Sequence, residues 1–240
     1  AVAVERCRHA VESMARHAVH AFESAVSLLA QYDEKAAEQL RGEENLVDRF
    51  EDRIGAFLVR ISTQNLSDED SFECTKLLRL IGEYERICDH AVNLLESAEE
   101  IQVKHIAFSQ VATQELHTLI AAVREIVTIS FDAFCTGNAA LADRVEPLEQ
   151  VVDGLRNQIK LNHTLRLQKS ECTIEHGFVL SDILTNLERV SDHCSNVAVC
   201  IREMSQHSPL GAHDYLDHIQ QTGKDYQRQF EEYREKYKLA

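Results

Sequence analysis

Four times along this chain a Glu is followed four residues later by an Asp: Glu44/Asp48, Glu85/Asp89, Glu149/Asp153 and Glu188/Asp192. On a helix that spacing puts both carboxylates on one face, about a turn apart. One such pair says little, since 40 acidic residues in 240 predict about 7 pairs at this spacing by chance. Glu34/Glu38, Glu96/Glu100 and Glu231/Glu235 belong to that background. Position separates the four from the rest. Glu44 and Glu85 are equidistant from a loop at Asn65–Asp68, and Glu149 and Glu188 from a break at Lys169-Ser170. In an antiparallel helical hairpin, residues equidistant from the turn share a level, here roughly 30 Å from it at 1.5 Å per residue. Four carboxylates at one level, beside apolar Leu46, Val47, Ile87 and Val190, repel one another and resist desolvation. Arg86 and Arg189 can offset one charge each. A divalent or trivalent metal is the better counterion, because hard oxygen donors suit Fe, Mn, Mg or, with His nearby, Zn. His90 and His193 directly follow the acids and Asn93 and Asn196 lie one turn further on, as possible additional ligands.

Apolar residues recur at three- and four-residue spacing almost throughout, the signature of amphipathic helices. Tyr32-Asp33 ends a first helix and offers Asp33 as the N-cap of a second, and Ser67 caps a third. A fourth runs from near Val103 to Gly137-Asn138. Lys169-Ser170 divides a fifth from a sixth, and Ser208-Pro209-Leu210-Gly211 ends the sixth. A last segment from about His213 carries Tyr226, Phe230, Tyr233 and Tyr237 on one stripe, for packing on the chain's own bundle or for docking a partner. The sum is six long helices and a shorter seventh.

The helices repeat. Glu85-Arg86-Ile87-Cys88-Asp89-His90 recurs as Glu188-Arg189-Val190-Ser191-Asp192-His193, and Glu44-Asn45-Leu46-Val47-Asp48 as Glu149-Gln150-Val151-Val152-Asp153. In the same register Asp33 falls on Asn138 as a cap, and Gly42 on Pro147 as a helix-weakening residue before the acidic motif. Caps, weak points and acids recurring together about 100 residues apart mark duplication of a three-helix unit. The expected fold is all-α: two tandem antiparallel three-helix bundles, residues 1–102 and 103–207, with a C-terminal helical tail over 208–240.

Composition agrees. Only 8 Gly, 2 Pro and no Trp argue against a β-sandwich, a barrel or a Gly-rich nucleotide fold. A net charge of −15 disfavours nucleic acid and anionic membrane surfaces as partners. Seven Cys, with no C-x-x-C pair, sit mostly in apolar-periodic segments, which fits a reducing compartment without structural disulfides or a thiolate zinc site. No apolar run reaches the roughly 18 residues needed to span a bilayer. The chain opens at Ala1-Val2-Ala3-Val4 without Met and already in helical pattern, so a domain cut from a longer protein is expected.

The paired Glu-x-x-x-Asp motifs in tandem units, with Glu85-Arg86-Ile87-Cys88-Asp89-His90-Ala91-Val92-Asn93 and its copy ending at Asn196, resemble the PhoU family of phosphate-regulation proteins over roughly residues 1–207. The resemblance implies a multinuclear metal site, commonly iron or zinc, on Glu44, Asp48, Glu85, Asp89, Glu149, Asp153, Glu188 and Asp192. It implies a non-catalytic regulator of phosphate transport or homeostasis. With its aromatic tail, the chain most resembles the cytoplasmic PhoU-type domain of a bacterial sodium/phosphate cotransporter, with a free-standing PhoU-type regulator as alternative. The implied partners are a membrane transporter domain or a phosphate-signalling protein, with phosphate at the metal site and a homodimer both compatible. One departure is visible: the family often has Gly before the motif's Asp, where Cys88 and Ser191 stand here.

Two further readings compete. A ferritin-like di-iron oxidase needs Glu-x-x-His on two helices, and no Glu here has His three residues later. No G-x-x-x-x-G-K-[ST], G-x-S-x-G or H-E-x-x-H occurs, and His17, His20 and His163 read as structural. A metal-free helical scaffold with merely solubilising acidic faces also remains, and metal analysis of the purified protein separates it from the rest.

Overall fold

The computed structural model describes residues 2–206 and 212–240, without the side chains of 212–221. The described residues form α-helices and connecting turns, divided into two compact units at His105/Ile106.

The first unit is an antiparallel bundle of α1 (Val2–Ala30), α2 (Glu34–Ser62) and α3 (Asp68–Lys104), each packed on the other two. Asp33 caps α2 by accepting from Ala36 N at 2.7 Å, and Ser67 caps α3 by accepting from Asp70 N at 3.1 Å, as the sequence indicates. Met14 and Phe22 from α1, Leu40 and Leu58 from α2, and Leu77, Tyr84 and Leu94 from α3 fill the core. Apolar residues at i, i+3, i+4 and i+7 align into one stripe per helix, so burying three stripes together closes the bundle.

The junction differs from the sequence expectation. Val103 is the penultimate residue of α3 and does not open the fourth helix. His105 ends α3 in the left-handed region at φ 52°, and Ser109 caps α4 (Gln110–Thr136) by accepting from Ala112 N at 3.2 Å.

The second unit packs α4, α6 (Val145–Gln168) and α7 (Ile174–Ser205) on one another. Here too a boundary moves. Asn138 caps only α5 (Ala139–Ala142), a single turn, and the long helix begins at Val145. Pro147 explains the break: it has no N–H to give Asp143, and its ring would meet that carbonyl in a continuous helix. At the matching place Gly42 lies inside an unbroken α2. Thr173 caps α7 by accepting from His176 N at 3.2 Å. The expected break at Ser208–Gly211 lies outside the described residues.

The C-terminal helix α8 (Ala212–Lys236) packs on α6. Its aromatic stripe is used there: Tyr233 and Tyr237 are buried, and Tyr226 and Phe230 are half-buried. Arg144 Nε donates to Tyr233 at 3.1 Å, and Tyr237 OH donates to Glu125 at 2.7 Å.

Candidate metal centre

In the first unit α2 and α3 bring Glu44, Asp48 and Asp89 together, with one carboxylate oxygen from each within 4.8 Å of the others. In the second, α6 and α7 do the same with Glu149, Asp153 and Asp192. Two of the three come from the first helix of the pair and one from the second. Glu85, the residue level with Glu44, is not among the converging three, and Asp89 one turn further along α3 takes that place.

Glu85 is not stranded. It hydrogen-bonds with Asp89 and lies in the field of Glu51 and Asp48; burial first, then these neighbours, push its carboxyl up to about 8. Glu44 and Asp48 are also raised, by burial first, then by Asp48 and Asp89 at Glu44 and by Asp89 and Asp52 at Asp48. Glu51, half-buried one turn beyond Asp48, is raised by burial and by Asp52, Asp48 and Asp89. Sequence reasoning passed over Glu51, although its place three residues after Asp48 and seven after Glu44 sets it on the motif's face.

The second cluster is deeper. Glu149 is 7% exposed, and its carboxyl is pushed up to about 8 by burial, then by Asp153, Glu146 and Asp192. Gln150 Nε2 donates to it at 2.9 Å. Asp153 is raised by burial and by Asp192, and its Oδ1 is buried without a hydrogen-bond partner. Glu188 is drawn off: Arg156 of α6 holds it at 3.3 Å. Arg156 also escaped the sequence reading, which had offered Arg86 and Arg189 as counter-charges. Arg189 approaches Asp192 only at 3.9 Å and is exposed, and so is Arg86.

His90 is half-buried and His193 is buried, and neither belongs to the three-carboxylate groups. Asn93 and Asn196 are half-buried one turn after Asp89 and Asp192. Cys88 and Ser191, at the position before each Asp, are fully buried; burial, then Glu44 and Asp89, push the Cys88 thiol well above its ordinary range. His17 and His20 on α1 both reach Glu43, at 3.0 and 2.6 Å, a local arrangement beside the cluster.

These donor sets fit a hard cation. All the converging atoms are carboxylate oxygens, and they lie close enough to share one ion or bridge two. The acids are not fully offset by nearby bases, and Asp153 keeps a buried lone oxygen. In the absence of a cation, a buried acid of this kind holds a proton instead.

A model of the PhoU domain matches residues 11–98 and 116–201, which places one copy in each unit. The chain belongs to the PhoU family. Among curated relatives, a Thermotoga maritima protein named phosphate-specific transport system accessory protein PhoU homolog 1 is 26% identical over 121 residues, 50% of this chain and 51% of that protein. The chain thus spans about half the length of that relative. A Xylella fastidiosa phosphate-specific transport system accessory protein PhoU homolog is 22% identical over 185 residues, 77% of each. Among solved structures, PhoU from Pseudomonas aeruginosa superposes with a TM-score of 0.80 at 21% identity, over 86% of this chain and 99% of its own. The phosphate transport system regulatory protein PhoU from Streptococcus pneumoniae gives 0.74 at 16% identity, over 87% and 97%. These similarities carry the fold: tandem PhoU helical bundles.

Proposed function

We propose that this PhoU-family chain regulates phosphate transport by binding, without catalysing a reaction, and that each unit holds metal. The observation that carries the reading is the repeated three-carboxylate cluster, Glu44/Asp48/Asp89 and Glu149/Asp153/Asp192, built from partly buried acids not fully neutralised by bases. Glu85 extends the first cluster, Glu188 borders the second while held by Arg156, and His90, His193, Asn93 and Asn196 stand behind them. Iron or zinc in a multinuclear site suits all-carboxylate donors with imidazole nearby. Such a site supplies positive charge and open coordination positions, which is how a chain of net charge −15 can take up phosphate.

The partner is a membrane phosphate transporter or its signalling protein, met on the cytoplasmic side. The relatives named for phosphate-specific transport support that class. Two arrangements serve it: a cytoplasmic domain of a sodium/phosphate cotransporter, and a free-standing regulator. Regulation then requires different affinity for two transporter states, a differential free energy of about 1–3 kcal/mol.

The test is metal content and uptake together. Replacing Asp89 and Asp192 with Ala should lower bound iron or zinc and abolish the gain in Tm that metal gives the wild type, since a bound ligand stabilises by mass action. Phosphate uptake in cells carrying the double variant should also change. Full metal content in that variant would remove both residues from the ligand set, and unchanged uptake would remove the transport role.

A further inference from the structure

Five of the seven cysteines are buried, and Cys135 and Cys172 are not. Cys172 lies in the turn between α6 and α7, one residue before the cap Thr173. Its Sγ is 3.7 Å from Nδ1 and 4.0 Å from Nε2 of the half-buried His163. Gly177 makes room for that ring, since a Cβ there would lie 2.6 Å from Nε2. Burial first, then Arg166 and His176, lower the His163 pKa against the pull of Glu115, so at neutral pH the imidazole is uncharged and can accept a proton. The same ring lines an open groove of 260 Å³ whose walls include Leu167, Ile174, Phe178 and Leu184. Ile174 and Phe178 are 64% and 68% exposed, so the groove presents apolar surface to water. None of this belongs to the duplicated design: the matching turn of the first unit, residues 63–67, carries neither Cys nor His.

We propose that Cys172 and His163 form a thiol modification site that takes up low-molecular-weight disulfides bearing an aromatic or other apolar arm. Thiol–disulfide exchange proceeds through the thiolate, and an adjacent base supplies it. His163 takes the proton of the Cys172 thiol. The sulfur then bonds to one sulfur of the disulfide as the disulfide's own S–S bond breaks. The imidazolium returns the proton to the departing half, which leaves as a thiol. Cys172 is oxidised to the mixed disulfide and the departing half is reduced, so no further oxidant enters. Helix α7 begins at Ile174, and its positive end favours the anion on the sulfur two residues earlier. The retained arm lies along the groove and takes apolar surface of Ile174 and Phe178 out of water. From Glu149 to the end of α6 at Gln168 is about 30 Å at 1.5 Å per residue, so the site is independent of the acidic cluster.

The experiment treats the full reduced chain at neutral pH with one equivalent of dithiodipyridine. Released thiopyridone is followed by absorbance, and the modified cysteine is mapped by peptide mass spectrometry. Bis(hydroxyethyl) disulfide serves as the polar comparison, each rate being divided by that of free cysteine with the same reagent. Cys172 should react first, with Cys135 slower by about tenfold or more, and Cys172→Ser should remove the fast phase. His163→Ala should slow it by about tenfold or more, and free imidazole in the buffer should restore part of the lost rate, which a packing role alone would not allow. Replacing Ile174 and Phe178 together with Ser should slow dithiodipyridine and leave the polar disulfide unchanged. Where His163→Ala fails to fold, Gly177→Ala, which drives the ring off the sulfur, should slow the reaction in its place. Equal rates at Cys135 and Cys172, or a His163→Ala rate that matches wild type or is not rescued by imidazole, overturns the pair as a modification site. Equal relative rates for the two disulfides in wild type overturn the apolar class of modifier.

Discussion

Replacing Glu149 with Gln should stabilise the metal-free protein at high pH and do nothing for it at low pH. The side chain is 7% exposed, keeps nearly its full shape as Gln, and sits against Asp153 and Asp192. Its carboxyl is pushed up to about 8 from 4.5. The folded chain therefore binds more protons than the unfolded chain between those values, and raising pH through that window destabilises it. A lone carboxyl shifted this far would cost about 5 kcal/mol when fully ionised, at about 1.4 kcal/mol per pH unit. Glu149 and Asp153 share the proton as a pair, and partial hydration screens the rest, so about 1–2 kcal/mol is expected for Glu149→Gln above pH 8. For a unit of this size that is a rise in Tm of about 3–8 °C, against no rise at about pH 4.5. Melting monitored by circular dichroism after chelation, as a pH series, reads the difference directly. With metal present the sign reverses, because the variant loses a ligand and the stabilisation that goes with it. A metal-free Glu149→Gln variant destabilised equally across the pH series would refute the picture of a charged acid awaiting a cation.

Two smaller perturbations test packing elsewhere in the second unit. Tyr237→Phe removes a hydroxyl that donates to Glu125 at 2.7 Å; since Lys236 also holds Glu125, at 2.6 Å, a loss of about 1 kcal/mol in unfolding free energy is expected, measured by urea titration. Gly177→Ala places a Cβ 2.6 Å from His163 Nε2, so the imidazole must swing away and give up its 3.7 Å contact with Cys172 Sγ. The His163 ring resonances should shift in NMR spectra while the melting temperature falls only slightly, because the obstructing atom ends a flexible side chain.

Much of this arrangement was legible in the chain itself, because caps and acids speak locally. Asp33, Ser67 and Asn138 each cap a helix through a side-chain oxygen, and a cap depends on residues within one turn. Val103 misled for the same reason: the apolar period runs on past it, and the chain's turn at His105 uses a left-handed non-Gly residue that composition does not flag. Pro147 reads as a weak point in the sequence, whereas in the fold it ends one helix and starts another. The acidic clusters were legible as levels on a hairpin. Which of four acids converge is decided by how the side chains meet across each helix pair, and the partner of Glu188 by a guanidinium on the neighbouring helix. Neither follows from spacing alone.

The fully buried thiol of Cys88 lies directly behind the first cluster, between Ile87 and Asp89. Oxidation and alkylation of cysteine proceed through the thiolate, which burial and the surrounding acids suppress here. With its thiol kept protonated and sealed from solvent, Cys88 should survive hydrogen peroxide and alkylating reagents unmodified in the folded chain, so acids that would suit a cation also shield the neighbouring sulfur from thiolate chemistry.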